Sequence, residues 1–80
     1  MKPMTPEQLL ELRRVCKTRG AILGTLRTLA GETGAVAAVG LGLSWDTLCR
    51  LEHDKAHPTE KTLLQVAAHY GVKIGDLYPA

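Results

Sequence analysis

Eighty residues make one domain with one modest core, which leaves little volume for a substrate pocket and a stability that association would help. An apolar content of 45% beside 22% charge is ordinary for a globular domain and excludes the composition of a disordered chain. The formal charge of +2 is too small to imply nucleic acid by its sum, but it is unevenly spread: residues 1–20 carry Lys2, Arg13, Arg14, Lys17 and Arg19 against Glu7 and Glu11, whereas residues 21–80 carry five bases and six acids.

Thr5-Pro6-Glu7-Gln8 combines an N-cap, a proline at the first helical position and an acidic first turn, and Leu9, Leu12, Val15 and Cys16 continue it as an apolar stripe. This predicts a basic amphipathic helix over residues 6–18, ended by Arg19-Gly20 unless it runs on through the glycine. Ala21, Ile22, Leu23, Leu26, Leu29 and Ala30 then repeat at helical spacing up to Gly31. Thr33 caps a short third helix, Gly34 to Leu41, whose small residues require close packing and whose glycines make it intrinsically weak. Gly42-Leu43-Ser44 has the form of a tight turn: a glycine after a helix, an apolar plug for the core, and a serine that caps the next helix, Trp45 to Glu52. Within that helix Leu48 and Leu51 face inward, and Trp45, Asp46, Cys49, Arg50 and His53 fall on other faces. Residues 54–58 form a polar loop, Thr59 caps a helix with Leu63, Leu64, Val66, Ala67 and Tyr70 as apolar positions, and Gly71 stops it. Ile74, Leu77 and Tyr78 suggest a final short turn. The longest apolar stretch, Ala35 to Leu43, is too short for a bilayer, and the start of the chain lacks the apolar run of a secretion signal, which together point to the cytoplasm. Cys16 and Cys49 accordingly read as reduced thiols.

A short helix, a glycine turn and a second short helix form a helix-turn-helix arrangement, whose second helix can enter a DNA major groove. From Gly42 onward the order Gly-Leu-Ser-x-x-Thr-Leu-x-Arg-Leu-Glu, then Lys, Pro-Thr, Thr-Leu-Leu-x-Val-Ala, Gly-Val and Asp-Leu-Tyr resembles the Cro/repressor-like (Xre-type) family over about half the chain. Upstream, Gly31, Thr33 and Ala37-Ala38 fit the family's first turn and second helix. The resemblance implies an all-α, lambda repressor-like fold of about five helices, here with an additional N-terminal helix, divided as a basic helix in residues 1–20 and a DNA-binding unit in residues 21–80. It further implies a homodimeric transcriptional repressor that binds double-stranded DNA in a sequence-specific way, without a cofactor, an enzymatic activity, a small-molecule ligand or a membrane.

By the same resemblance, Ser44 to Glu52 is the recognition helix and Trp45, Asp46, Cys49 and Arg50 are candidates for base contacts. Arg50 would reach guanine, Asp46 would accept from cytosine, and Trp45 would pack on a thymine methyl or a sugar. Thr33, Gly34, Thr47 and Lys55 are the candidate phosphate contacts, and Arg27 is expected to pair with Glu52. Two departures stand out. Gly34 replaces a glutamine that usually braces a base contact, and Asp54 replaces a glycine that often follows the recognition helix. Because residues 21–80 are slightly acidic, the added helix is expected to supply phosphate contacts through Arg13, Arg14, Lys17 and Arg19. Either this helix or residues 72–78 is the expected dimer surface. A second class of function remains open, in which the scaffold is a protein-interaction module with Val36, Val39 and Trp45 as an exposed apolar patch. Cys49, His53 and His57 recur at four-residue intervals but match no structural zinc spacing. A phosphate-binding glycine loop and paired carboxylates in an apolar setting are both missing.

Overall fold

Hydroxyl side chains punctuate the chain. Thr5, Thr18, Thr33, Ser44 and Thr59 each stand in extended backbone conformation, and each accepts a hydrogen bond from the amide three residues on, which satisfies a donor that a helix start leaves open. In the computed structural model, which describes residues 4–80, these caps open α1 (Pro6–Val15), α2 (Arg19–Leu29), α3 (Gly34–Leu41), α4 (Trp45–Glu52) and α5 (Glu60–Tyr70); a 3-10 helix, η1 (Ile74–Leu77), follows. The described residues are all-helical, with no strand. None of the helices among them is long and apolar enough to cross a membrane. Lys2, one of the N-terminal bases, lies outside the described residues.

One core gathers side chains from every element, with Ile22, Leu26, Leu48 and Tyr70 as its largest fully buried members. α4 packs on α2 and α3, α5 on α3 and η1, and α1 on η1. Gly42 and Gly71 end α3 and α5 in the left-handed conformation, at φ 68° in both cases, a region that glycine enters without a Cβ penalty. Leu43 is half-buried against the core between Gly42 and the capping Ser44.

The break between the first two helices differs from expectation. The first helix stops at Val15, not near Thr18, because Cys16 turns its side chain into the core in extended backbone conformation and Thr18 caps a new helix. Gly20 therefore sits in the first turn of α2 and terminates nothing. A Cβ there would lie 2.6 Å from the carbonyl oxygens of both Leu51 and Glu52, so the missing side chain lets α2 cross the carbonyl end of α4. A boundary between residues 20 and 21 falls inside this helix. Since Leu12 and Cys16 belong to the same core as the rest, α1 is a layer of the domain, not an appendage.

Three residues assigned to apolar stripes point outward: Val15 is 67% exposed, Leu29 60% and Leu64 53%. The two segments considered as dimer surfaces cover each other. α1 rests on η1, Arg13 Nε–H donates to the Tyr78 carbonyl at 2.7 Å, and the Ala80 amide donates to the Arg13 carbonyl at 3.0 Å. Leu10, Val15 and Tyr78 stay exposed around this contact.

Candidate functional site

α4 is held along its inner face and at its carbonyl end. Leu48 and Leu51 are buried, and at its carbonyl end Arg27 of α2 grips Glu52 with two bonds, Nε to Oε2 at 2.7 Å and Nη2 to Oε1 at 3.1 Å. The third Arg27 nitrogen, Nη1, donates to the Glu32 carbonyl at 3.0 Å. Both charged side chains of the pair are largely sheltered, at 22% and 11% exposure, and the hydrogen bond to Glu52 holds the guanidinium pKa above its ordinary value. A planar fork facing a carboxylate fixes distance and angle together, so the pair sets where α4 lies on α2.

The polar cluster continues past Arg27. Glu32 Oε2 meets His69 Nε2 at 2.8 Å, which ties the turn before α3 to α5. The Tyr70 hydroxyl lies buried without a well-formed hydrogen bond, as does Glu32 Oε1. Burial, then the neighbouring Glu32 carboxylate, pushes the Tyr70 phenol well above its ordinary pKa. The resemblance pointed to Arg27 and Glu52. It gave no sign of Glu32, His69 or Tyr70, whose spacing carries no motif.

The free surface of α4 holds the candidate base contacts. Asp46, Cys49, Arg50, His53 and Lys55 line one open concavity of about 630 Å³. Asp46 Oδ2 and Arg50 Nε are 3.2 Å apart, one helical turn from each other, with both side chains mostly exposed, so the face carries a neutralised pair where a DNA-facing helix usually carries net positive charge. His53 Nδ1 lies 2.8 Å from the Cys49 carbonyl and 3.7 Å from its sulfur. His57 lines a separate apolar cavity of about 110 Å³ under the 54–58 loop. Among the described residues no group of three or more His, Cys, Asp or Glu side chains is placed to hold a metal. Comparison with protein-family models, curated proteins and solved structures gives no match.

Trp45 stands apart from this concavity. Its ring lies over Gly34, where an added Cβ would come within 1.4 Å of Cζ3 and 2.0 Å of Cη2. The glycine at position 34 is thus the clearance for the tryptophan at 45. Thr33 caps α3 through the Val36 amide at 3.2 Å, and Thr47 accepts from the Ser44 hydroxyl at 2.8 Å while its amide donates back at 3.1 Å. Asp54 adopts φ 58° and its Oδ1 accepts from the Gly20 amide at 3.0 Å. The aspartate therefore tolerates the left-handed position and also serves the first turn of α2, which neither residue announced in the sequence.

The N-terminal bases divide into two groups. Arg13 is bound to the Tyr78 carbonyl, and Arg19 holds the Tyr78 hydroxyl at 3.3 Å with its guanidinium 5.0 Å from the ring centre. Both fasten the C-terminal segment. Arg14 and Lys17 are exposed and make no side-chain hydrogen bond or ion pair among the described residues. No hydrogen bond or ion pair joins α1 to α3 or α4.

Proposed function

We propose that this chain is a lambda repressor-like helix-turn-helix protein of the Cro/Xre type, a homodimeric, sequence-specific regulator of transcription that acts as a repressor. The observation that carries this reading is α4 itself. It is a capped helix of two turns, fixed by Leu48, Leu51 and the Arg27–Glu52 pair, that leaves Trp45, Asp46 and Arg50 exposed and Cys49 half-buried. Such a helix fits a major groove, with Arg50 facing guanine and the capped starts of α3 and α4 facing phosphates. One helix of this length reads few base pairs, so a second copy related by two-fold symmetry is part of the proposal.

The test is a mobility-shift titration on mixed-sequence duplex DNA at low salt, followed by selection of bound sites from random DNA. A groove binder gives a non-specific complex that weakens steeply with salt and an enriched half-site repeated about one helical turn away. No complex at any salt concentration refutes the reading. A second reading, a protein-interaction module, is favoured by the exposure of Val39 (82%), Val36 (57%) and Trp45 (57%) and by the neutralised Asp46–Arg50 pair; the same titration separates the two. Sedimentation of the full chain tests the dimer, with Val15→Glu and Leu10→Glu expected to dissociate it if α1 forms the contact. Deleting α1 is a poor test, because Leu12 and Cys16 would leave the core with it.

A further inference from the structure

We propose that the cavity beneath the 54–58 loop is a binding site for a small uncharged apolar molecule of single-ring size. The cavity shares no lining residue with the concavity on α4, and neither reading above uses it. Its walls come from four elements: Leu23 of α2, Leu51 of α4, Val66 of α5 and Leu77 of η1, all of them buried. Ala56 and Pro58 of the loop close it from above. At about 110 Å³ it is of the same order as an apolar cavity of about 150 Å³ that stays dry and takes up benzene or xenon.

Two anchors hold the loop off the core. Asp54 stands at φ 58° with Oδ1 bound to the Gly20 amide at 3.0 Å, and Pro58 has a ring-fixed φ directly before Thr59, the cap of α5. Between these anchors Ala56 packs on the core with a single methyl group, while Lys55 and His57 are exposed. A rigid frame over a small side chain thus leaves space that the loop does not fill.

The lining selects the ligand. Arg19 is engaged with the hydroxyl and ring of Tyr78, Asp54 with the Gly20 amide, and the Thr62 hydroxyl meets that of Thr59 at 3.1 Å. A charged molecule would therefore lose its hydration with no uncommitted counter-charge to replace it. Water would meet mostly methyl groups where it needs two to four polar partners. A flat apolar ring gains dispersion contacts with groups that face empty space without it. His57 lines the exposed edge and makes no side-chain hydrogen bond among the described residues, so its ring can meet one hydroxyl of the ligand.

The probes are benzene and phenol, with benzoate as the charged counterpart, titrated into the full chain and followed by NMR. Benzene and phenol should bind saturably, with intermolecular NOEs from their ring protons to the methyl groups of Leu23, Leu51 and Leu77. At ten times its dissociation constant, either probe should raise Tm by about 5–10 °C. Benzoate should bind weaker by about tenfold or more. Ala56→Leu, which extends a side chain into the space from the loop, should weaken benzene and phenol by about tenfold or more, with far-UV circular dichroism verifying its fold. Should that variant fail to fold, the NOEs in the parent protein decide the site. No saturable binding of either probe to the parent overturns the proposal, as do NOEs confined to other side chains or an unchanged affinity in a folded Ala56→Leu. Benzoate binding more tightly than phenol also overturns it, because the site then selects an anion. The titration contains no DNA, so its outcome is separate from that of the mobility shift.

Discussion

Replacing Gly20 with alanine tests the crossing on which α4 rests. In an open helix the change would stabilise, since alanine is favoured over glycine by about 0.8–1.0 kcal/mol. Here the new methyl carbon would stand 2.6 Å from the carbonyl oxygens of Leu51 and Glu52 and 2.8 Å from Asp54 Oδ1. Two of these neighbours are backbone atoms at the end of α4 and cannot rotate aside as a side chain does, so α2 and α4 must separate. Overpacking of this kind costs about 1–3 kcal/mol, and separation also stretches the Gly20 N–H···Asp54 bond of 3.0 Å, a charge-assisted contact of about 1.5–3 kcal/mol. After the propensity gain, the net expectation is a loss of about 2–3 kcal/mol. At about 4–8 °C per kcal/mol for a domain of this size, Tm should fall by about 10–20 °C. Thermal and urea melts followed by far-UV circular dichroism measure it, with Gly75→Ala alongside. Nothing lies within 4 Å of a Cβ at position 75, so that variant should gain up to about 1 kcal/mol. A Gly20→Ala protein as stable as the parent would mean that α2 and α4 do not cross here and that Gly20 only ends a helix.

Glu52→Ala should cost about 2–3 kcal/mol, because Arg27 stays partly buried with its main partner removed; in urea melts of single and double variants with Arg27→Ala, full additivity would deny the pair a role. Tyr70→Phe should leave stability unchanged within about 1 kcal/mol or raise it, since it removes a buried hydroxyl without a well-formed hydrogen bond. The raised Tyr70 pKa means that the folded chain keeps this proton more tightly than the unfolded one, so the stability that Tyr70 contributes is constant below the ordinary value of 10.0 and declines as pH rises above it. Tyrosinate absorbance and circular dichroism recorded through that range should show this decline in the parent and a weaker one in Tyr70→Phe. Reversing Arg14 and Lys17 to glutamate should weaken DNA binding and flatten its salt dependence at unchanged Tm, whereas Arg13→Glu should lower Tm by breaking the bond to Tyr78; a melting temperature of Arg13→Glu equal to the parent would contradict the fastening role given to that arginine.

Much of the fold was legible because its helix starts are local. A threonine or serine followed by an amide three residues on is written in consecutive residues, so the starts of α3, α4 and α5 follow from Thr33, Ser44 and Thr59, and the ends of α3 and α5 from Gly42 and Gly71. The same rule explains the error at the first break, where Gly20 drew attention from Thr18, the residue that opens α2. Outward positions such as Val15 and Leu29 were misread because an apolar residue beside a stripe falls in or out with a small rotation of the helix, which only its neighbours decide. Of the site, the spacing of α4 identified the exposed face, but the partners on that face were not visible. The Asp46–Arg50 pair could have been read from its four-residue interval. The binding of Arg13 and Arg19 to Tyr78 could not, because it joins residues more than fifty positions apart.

Glycine carries two meanings in this chain, and they bear differently on function. At Gly42 and Gly71 it supplies a left-handed backbone, which a neighbouring sequence pattern reveals. At Gly20 and Gly34 it supplies clearance, for a crossing helix in one case and for an indole ring in the other. Both clearances act on α4, the first at its carbonyl end and the second at its amide end. The Gly20 crossing, together with the Arg27–Glu52 pair, fixes where the helix lies. The Gly34 seat fixes which edge of Trp45 the helix shows. Substitutions at the first position should therefore lower stability by parting two helices, and substitutions at the second should displace the indole ring of Trp45.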